Sequence, residues 1–202
     1  MLFLCGGCSL LIDTSDLTET DAAADDRVDG SSQGGDASTA SKIVFVTSVT
    51  TTGAFGGLSA ADALCQLLAD NALLPGDYKA WLSDSTGSPS TRFVKSEGRY
   101  VLVSGGVIAQ NWNNLIDGQI DNPISHDERG NPVFLAGLCQ MGDVWSNTGI
   151  NGELFSAMSS CNDWTGVGIS KPGDYLSTSQ WTVSGCLLVD CPDRLPFYCF
   201  QQ

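Results

Sequence analysis

His126 is the only histidine in the 202-residue chain, and Asp127 and Glu128 follow it directly. An imidazole beside carboxylates could serve a serine hydrolase, where it takes the proton of a nucleophilic hydroxyl. No G-x-S-x-G element is present to offer that hydroxyl. The stretch 124–133 around the histidine reads as a hairpin that turns at Arg129-Gly130. His126 is therefore expected as an exposed turn residue, and an envelope hydrolase is the least favoured function. Phosphate chemistry has no support either, since neither a G-x-G-x-x-G nor a P-loop pattern occurs.

The eight cysteines are the next candidates. Structural zinc sites use close cysteine pairs on both sides of the metal. From residue 42 onward the chain has one such pair, Cys186-x4-Cys191, and no second. Disulfides in an oxidising compartment are the expected use. Paired cysteines also leave no thiol to act as a nucleophile.

Asp117, Asp121, Asp127 and Glu128 form an acidic neighbourhood. Calcium takes several carboxylate and carbonyl oxygens, so these four are the calcium candidates. Their spacing fits no known calcium loop, and a solvated acidic face is the plainer expectation. Of the five tryptophans, Trp112, Trp145 and Trp164 are expected chiefly as core. Trp181, beside the Gly/Ser/Pro loop 166–179, is the candidate for an exposed, ligand-facing ring.

These residues must be positioned by short elements. Residues 43–49 are β-branched and read as a strand. A helix follows, with Ser59 as expected cap and Asp62 three residues on. Ala61, Leu64, Cys65 and Leu68 share one helical face, so Cys65 points at the core. Pro75-Gly76 ends that helix. The run 78–82 reads as a strand with Tyr78, Ala80 and Leu82 on one face and Trp81 on the other. Further short strands are expected at 100–103, from Val144-Trp145 and at 180–183, with a helical turn at 111–116 whose Trp112 enters the core. Residues 83–99 read as a polar loop anchored by Phe93-Val94, and Asn151-Gly152 as a tight turn. No second helix is predicted. The closing stretch 186–200 carries Cys186, Cys191 and Cys199 and ends in a strand with Phe197, Tyr198 and Phe200.

The chain carries 9 Lys/Arg against 23 Asp/Glu, a net charge of −14. That excludes nucleic acid as a natural partner and disfavours charge-driven membrane binding. Residues 13–41 hold eight acids, one base (Arg27) and no aromatic residue. They read as a disordered acidic linker, with a span of roughly 30 Å for about 30 flexible residues. Before it, residues 1–12 resemble the end of a bacterial signal segment. Gly6 and Gly7 precede Cys8, as in a lipobox, although Cys5 stands where that pattern prefers Leu. The resemblance implies that Cys8 is acylated and that the natural start lies upstream of Met1. Ser9 after the cysteine implies outer-membrane sorting.

Ala61-Asp-Ala-Leu-Cys65, the strand Tyr78-Lys-Ala-Trp-Leu-Ser83, Trp112 with Leu115, Val144-Trp145, Cys161-Asn-Asp-Trp164 and the closing Cys191 and Cys199 occur in that order. Together they resemble the endostatin domain of collagens, and still more its bacterial relatives, an uncharacterised domain of surface lipoproteins. The resemblance runs over 43–201 and implies an α+β, C-type lectin-like fold for 42–202: a mixed twisted sheet, one main helix and long loops. It also implies the disulfides Cys65–Cys199 and Cys161–Cys191, which leaves Cys139–Cys186 as the third. Six cysteines alone allow 15 connectivities. Endostatin's heparin-binding arginine clusters have no counterpart, because 42–202 holds eight scattered Lys/Arg against 15 acids. Its zinc histidines are also missing, so neither property carries over. The expectation is a monomeric, non-catalytic envelope lipoprotein, surface-exposed or periplasmic. It would touch the membrane only through its lipid and bind an extracellular protein or glycan. A calcium-dependent, lectin-like sugar module is the alternative.

Overall fold

The structure is a computed structural model that describes residues 40–135, 137–139 and 141–202. Cys8 and the linker as far as residue 39 lie outside the described residues. The remainder is an α+β domain built on a mixed five-stranded sheet. In chain order its main elements are β1 (Lys42–Val46), α1 (Leu58–Asn71), β2 (Tyr78–Ala80), α2 (Pro89–Arg92), β3 (Tyr100–Leu102), β4 (Val107–Ala109) and α3 (Trp112–Leu115). Then come β5 (Asp143–Trp145), β6 (Ile169–Ser170), β7 (Pro172–Asp174), β8 (Val189–Asp190) and β9 (Tyr198–Gln201). The large sheet runs β2-β9-β1-β3-β4. Only β1 and β3 are parallel; the closing strand β9 is antiparallel to both β1 and β2. β5–β7 and β6–β8 form two small antiparallel ribbons.

Alternation along the central strands explains why both faces of the sheet are buried. Phe45, Tyr78, Ala80, Leu82 and Cys199 point to the side where α1 lays Ala61, Cys65 and Leu68. Val44, Val46, Trp81, Tyr198 and Phe200 point to the other side. There Phe93, Trp112 and Trp181 close over them. The expected facing of Tyr78, Ala80 and Leu82 against Trp81 is the one found.

Among the described residues there are three disulfides, Cys65–Cys199, Cys139–Cys186 and Cys161–Cys191, the same pairs that the resemblance implies. Cys65–Cys199 ties α1 to β9, which lies between β2 and β1. Cys161–Cys191 passes close to Gly53, where a Cβ would stand 2.5 Å from the Cys161 sulfur.

Several local expectations are corrected. Ser59 does not cap α1. Gly57, at φ 91°, occupies the cap position, and no side chain bonds there. Asp62 instead accepts from Ala80 N at 2.9 Å and from Arg92 Nη2 at 2.6 Å, so a tertiary tie replaces the local one. Stretch 124–133 is a turn with a single bridge, His126 to Pro132, rather than a two-stranded hairpin. Two further helical turns, α2 and α3, lie beyond the main helix. α3 coincides with the turn expected at Trp112, whereas α2 falls inside the segment read as loop. No strand forms at 180–183. There Thr182 Oγ1 donates to Thr148 O at 2.8 Å and accepts from Trp81 Nε1 at 2.8 Å.

Close packing of β7 gives a first prediction. A Cβ on Gly173 would collide with the carbonyl oxygen of Trp181 and stand 3.1 Å from Thr182 Cα. Both obstacles are backbone and cannot rotate away. Gly173→Ala is expected to cost about 3 kcal/mol, read from the midpoint of denaturant unfolding. An unchanged midpoint would show that β7 and the backbone at Trp181 and Thr182 part at little cost.

Candidate functional site

A concavity of about 540 Å³ opens at the N-terminal end of α1. Its lining combines the carboxylates Asp62, Asp84 and Asp163, the guanidinium of Arg92, and the hydroxyls of Ser59, Thr86 and Thr165. Arg92 sits in the last turn of α2 and reaches across to Asp62, and it also donates to Leu82 O at 3.2 Å. The pair thereby joins α1, α2 and the end of β2. Asp84 is buried and shapes its own turn, accepting from Thr86 N at 2.7 Å and Thr86 Oγ1 at 2.6 Å.

Asp163 stands in one wall and belongs to the run Cys161-Asn162-Asp163-Trp164, in which all four residues have positive φ, between 53° and 60°. This is a single left-handed turn. For L-residues that conformation costs roughly 1–2 kcal/mol per residue, so the surroundings must hold it. The Cys161–Cys191 disulfide fixes one end. At the other, the Trp164 carbonyl accepts from Gly56 N at 2.8 Å and Gly57 N at 3.2 Å, which joins the turn to the start of α1. The Trp164 ring stacks on Phe55 at 5.2 Å and donates through Nε1 to Ser83 O at 3.2 Å. In between, Asp163 accepts from Ser85 Oγ at 2.6 Å and Ser85 N at 3.0 Å. These two bonds hold its carboxyl below the usual range, partly opposed by burial; the Ser160 hydroxyl lowers it further. The result is a hydrogen-bonding basin with preset carboxylates, a chemistry that suits hydroxyl, amine or guanidinium groups of a ligand.

A second concavity is apolar. It encloses about 290 Å³ between Val133, Phe134, Leu135, Met141, Tyr175 and Leu176. Phe134 is 85 % exposed and Met141 76 %. Beside it, Asp143 and Asp174 face each other across β5 and β7. Burial pushes the Asp174 carboxyl above its ordinary range, against the bond it accepts from Leu176 N, and the Asp143 charge adds to the rise.

The sequence-predicted residues fall elsewhere. His126 is half-buried, not exposed, and its carbonyl accepts from Val46 N at 2.9 Å. Its Nδ1 lies 3.5 Å from Ser125 Oγ, while the neighbouring carboxylates turn to other partners. Asp127 is buried and accepts from Arg129 N and Asn131 N. Glu128, 1 % exposed, accepts from Ser48 Oγ at 2.6 Å. They are therefore turn-fixing groups rather than a solvated face. Asp117 and Asp121 are exposed and bond to nearby side chains, Asn114 and Gln110. The four calcium candidates do not converge. Among the described residues, no three His, Cys, Asp or Glu side chains are grouped to hold a metal ion. Trp181 is fully buried against Trp81 at 4.7 Å, so it presents no ring to a ligand. The other four tryptophans are buried as well.

The lining residues had weak signals. Asp84-Ser-Thr-Gly87 has the composition of a turn in which Asp bonds its own backbone. Asn162-Asp163 are two of the residue types that tolerate a left-handed conformation. Nothing local placed Asp62 or Arg92 at the site. No protein-family model matches the chain, and no curated protein matches it. Among the described residues, no helix is long and apolar enough to cross a membrane. The three disulfides fit an extracytoplasmic location.

Proposed function

We propose that this is a non-catalytic, lipid-anchored envelope protein whose folded domain binds an extracellular protein or glycan in the concavity beside α1. The observation that carries the reading is the left-handed turn Cys161–Trp164, a costly conformation that sets Asp163 in the wall of that concavity. Backbone strain of this kind concentrates where a site must be preorganised. Supporting it, charged and hydroxyl side chains stand in the lining beside Leu58 and Gly57, on a frame locked by disulfides, which lowers the ordering cost of binding. The mixed sheet with α1 on one face and β9 between β2 and β1 supports an endostatin-like variant of the C-type lectin-like fold. The sequence before the domain supports the anchor and tether: Cys8 in a lipobox-like setting, then an acidic, Ser/Thr/Gly-rich linker.

Ser59 gives the test. It lies in the lining and is exposed, so Ser59→Arg fills the concavity while its effect on stability stays within about 0.5 kcal/mol. A glycan array and pull-down from extracellular fluid identify the ligand for the unaltered protein. Ser59→Arg is then expected to weaken its binding by about 10-fold or more, equal to about 1.4 kcal/mol. Equal binding by the variant would move the site elsewhere. No ligand in either screen would count against recognition as the function.

A further inference from the structure

The three disulfides differ in how they meet solvent. Cys65 and Cys199 are fully buried, and Cys161 and Cys191 are each 1 % exposed. In the third, Cys139 is exposed while Cys186 is 2 % exposed. Thiol–disulfide exchange requires a thiolate to approach along one sulfur, and accessible disulfides are the labile ones. Only Cys139–Cys186 offers an exposed residue at one end.

The buried end has its own feature. Asp143, at the start of β5, is 1 % exposed. Its Oδ2 accepts from Leu138 N at 2.8 Å and Cys139 N at 2.7 Å, and its Oδ1 lies 3.4 Å from the Cys186 sulfur. In the disulfide that sulfur carries no proton. Once released, a Cys186 thiol could donate to Oδ1, whereas a thiolate would stand against a buried carboxylate, an unfavourable like-charge contact.

We infer that Cys139 is a modification site for small thiols: its exposed end accepts a mixed disulfide, and Cys186 is the buried leaving group retained as a neutral thiol beside Asp143. A thiol RSH attacks as its thiolate at the Cys139 sulfur. The Cys139–Cys186 bond breaks, a Cys139–S–S–R bond forms, and the Cys186 sulfur takes up one proton, the equivalent of that lost by RSH. No other oxidant or reductant is consumed. Because the protonated Cys186 is a poor nucleophile, it attacks the adduct slowly and the adduct accumulates. Asp143 acts here as a positioning residue.

Glutathione is the probe. The folded full-length protein is incubated with it, quenched in acid, alkylated under denaturing conditions and mapped by mass spectrometry. The expected products are a glutathione adduct on Cys139, an alkylated Cys186, and intact Cys65–Cys199 and Cys161–Cys191 linkages, with an unchanged far-UV circular dichroism spectrum. Glutathione on Cys186, opening of either buried disulfide at the same rate, or no adduct on Cys139 at concentrations that leave the fold intact would overturn the assignment. Asp143→Asn keeps an acceptor for the two backbone N–H groups and removes the charge. It is expected to lower the adduct level several-fold, because a Cys186 thiolate then persists and re-forms the bridge. An undiminished adduct in a folded Asp143→Asn protein would overturn the role given to Asp143.

Discussion

Replacing Cys65 and Cys199 together by alanine is expected to lower the unfolding free energy by about 5 kcal/mol. The bridge spans 134 residues of sequence, nearly the whole domain, and loop-closure entropy grows with the logarithm of that length. By the same relation Cys139–Cys186 and Cys161–Cys191, with separations of 47 and 30, contribute about 4 kcal/mol each. The longest bridge is also the most central. Cys199 is opposite Phe45 on β1 and Ala80 on β2, with α1 above it. Losing it frees α1 and the strand that joins the two halves of the sheet. A domain of this size has about 5–15 kcal/mol in total, so the double variant should be largely unfolded, or close to it, at room temperature. Guanidinium unfolding under oxidising conditions measures the loss. A deficit below about 2 kcal/mol would mean that the denatured chain is already compact enough to make the closure nearly free.

What was legible in the sequence was the part decided by local periodicity. Tyr78, Ala80 and Leu82 against Trp81 follow from the two-residue alternation of any strand. Cys65 faces the core because it shares a helical stripe with Ala61 and Leu68. The disulfide pairs could not be read this way. They depended on the resemblance, since pairing is decided by which elements meet and not by spacing. What local pattern missed was decided by distant partners. Ser59 and Asp62 have the spacing of a cap, but Arg92, thirty residues on, takes the Asp62 carboxylate. Asp127 and Glu128 look like a solvated pair until β1 places Val46 N on the His126 carbonyl and Ser48 on Glu128. Trp181 sits beside a polar loop in sequence, yet in space it is enclosed by Trp81, Tyr198 and Phe200.

The candidate site shows the same division more sharply. Its carboxylates come from α1, from the turn at Asp84 and from the left-handed turn, three places with no common motif. The Asn-Asp pair hints at left-handed backbone, but Cys161 and Trp164 have no such tendency and adopt it too. Their conformation is imposed by the disulfide, by Gly56 and Gly57 at the Trp164 carbonyl, and by the stacked Phe55. A one-turn element held from outside leaves no periodic trace. That is why a site built around it was invisible while the sheet behind it was not.

Trp81→Ala is expected to cost about 4 kcal/mol, within the 3–5 kcal/mol range for truncating a large buried aromatic. Trp81 is fully buried, with Trp181, Phe200, Phe93 and Trp112 at ring distances of 4.7, 5.1, 5.7 and 6.0 Å. Four rings that converge on one side chain cannot all collapse into the space it leaves. A pair of conservative changes separates packing from hydrogen bonding. Trp81 Nε1 donates to Thr182 Oγ1 at 2.8 Å, whereas Trp181 Nε1 is buried with no partner among the described residues. Both rings lose similar area on conversion to Phe, but only Trp81→Phe loses a bond, worth about 1 kcal/mol. Trp181→Phe also removes an unsatisfied donor, a gain of about 1–3 kcal/mol on the same scale. Trp81→Phe should therefore be the more destabilising of the two by at least about 2 kcal/mol. Denaturant midpoints with near-ultraviolet circular dichroism measure this order, and a reversed order would mean that Trp181 Nε1 finds a partner in solution and that the Thr182 bond is of little consequence.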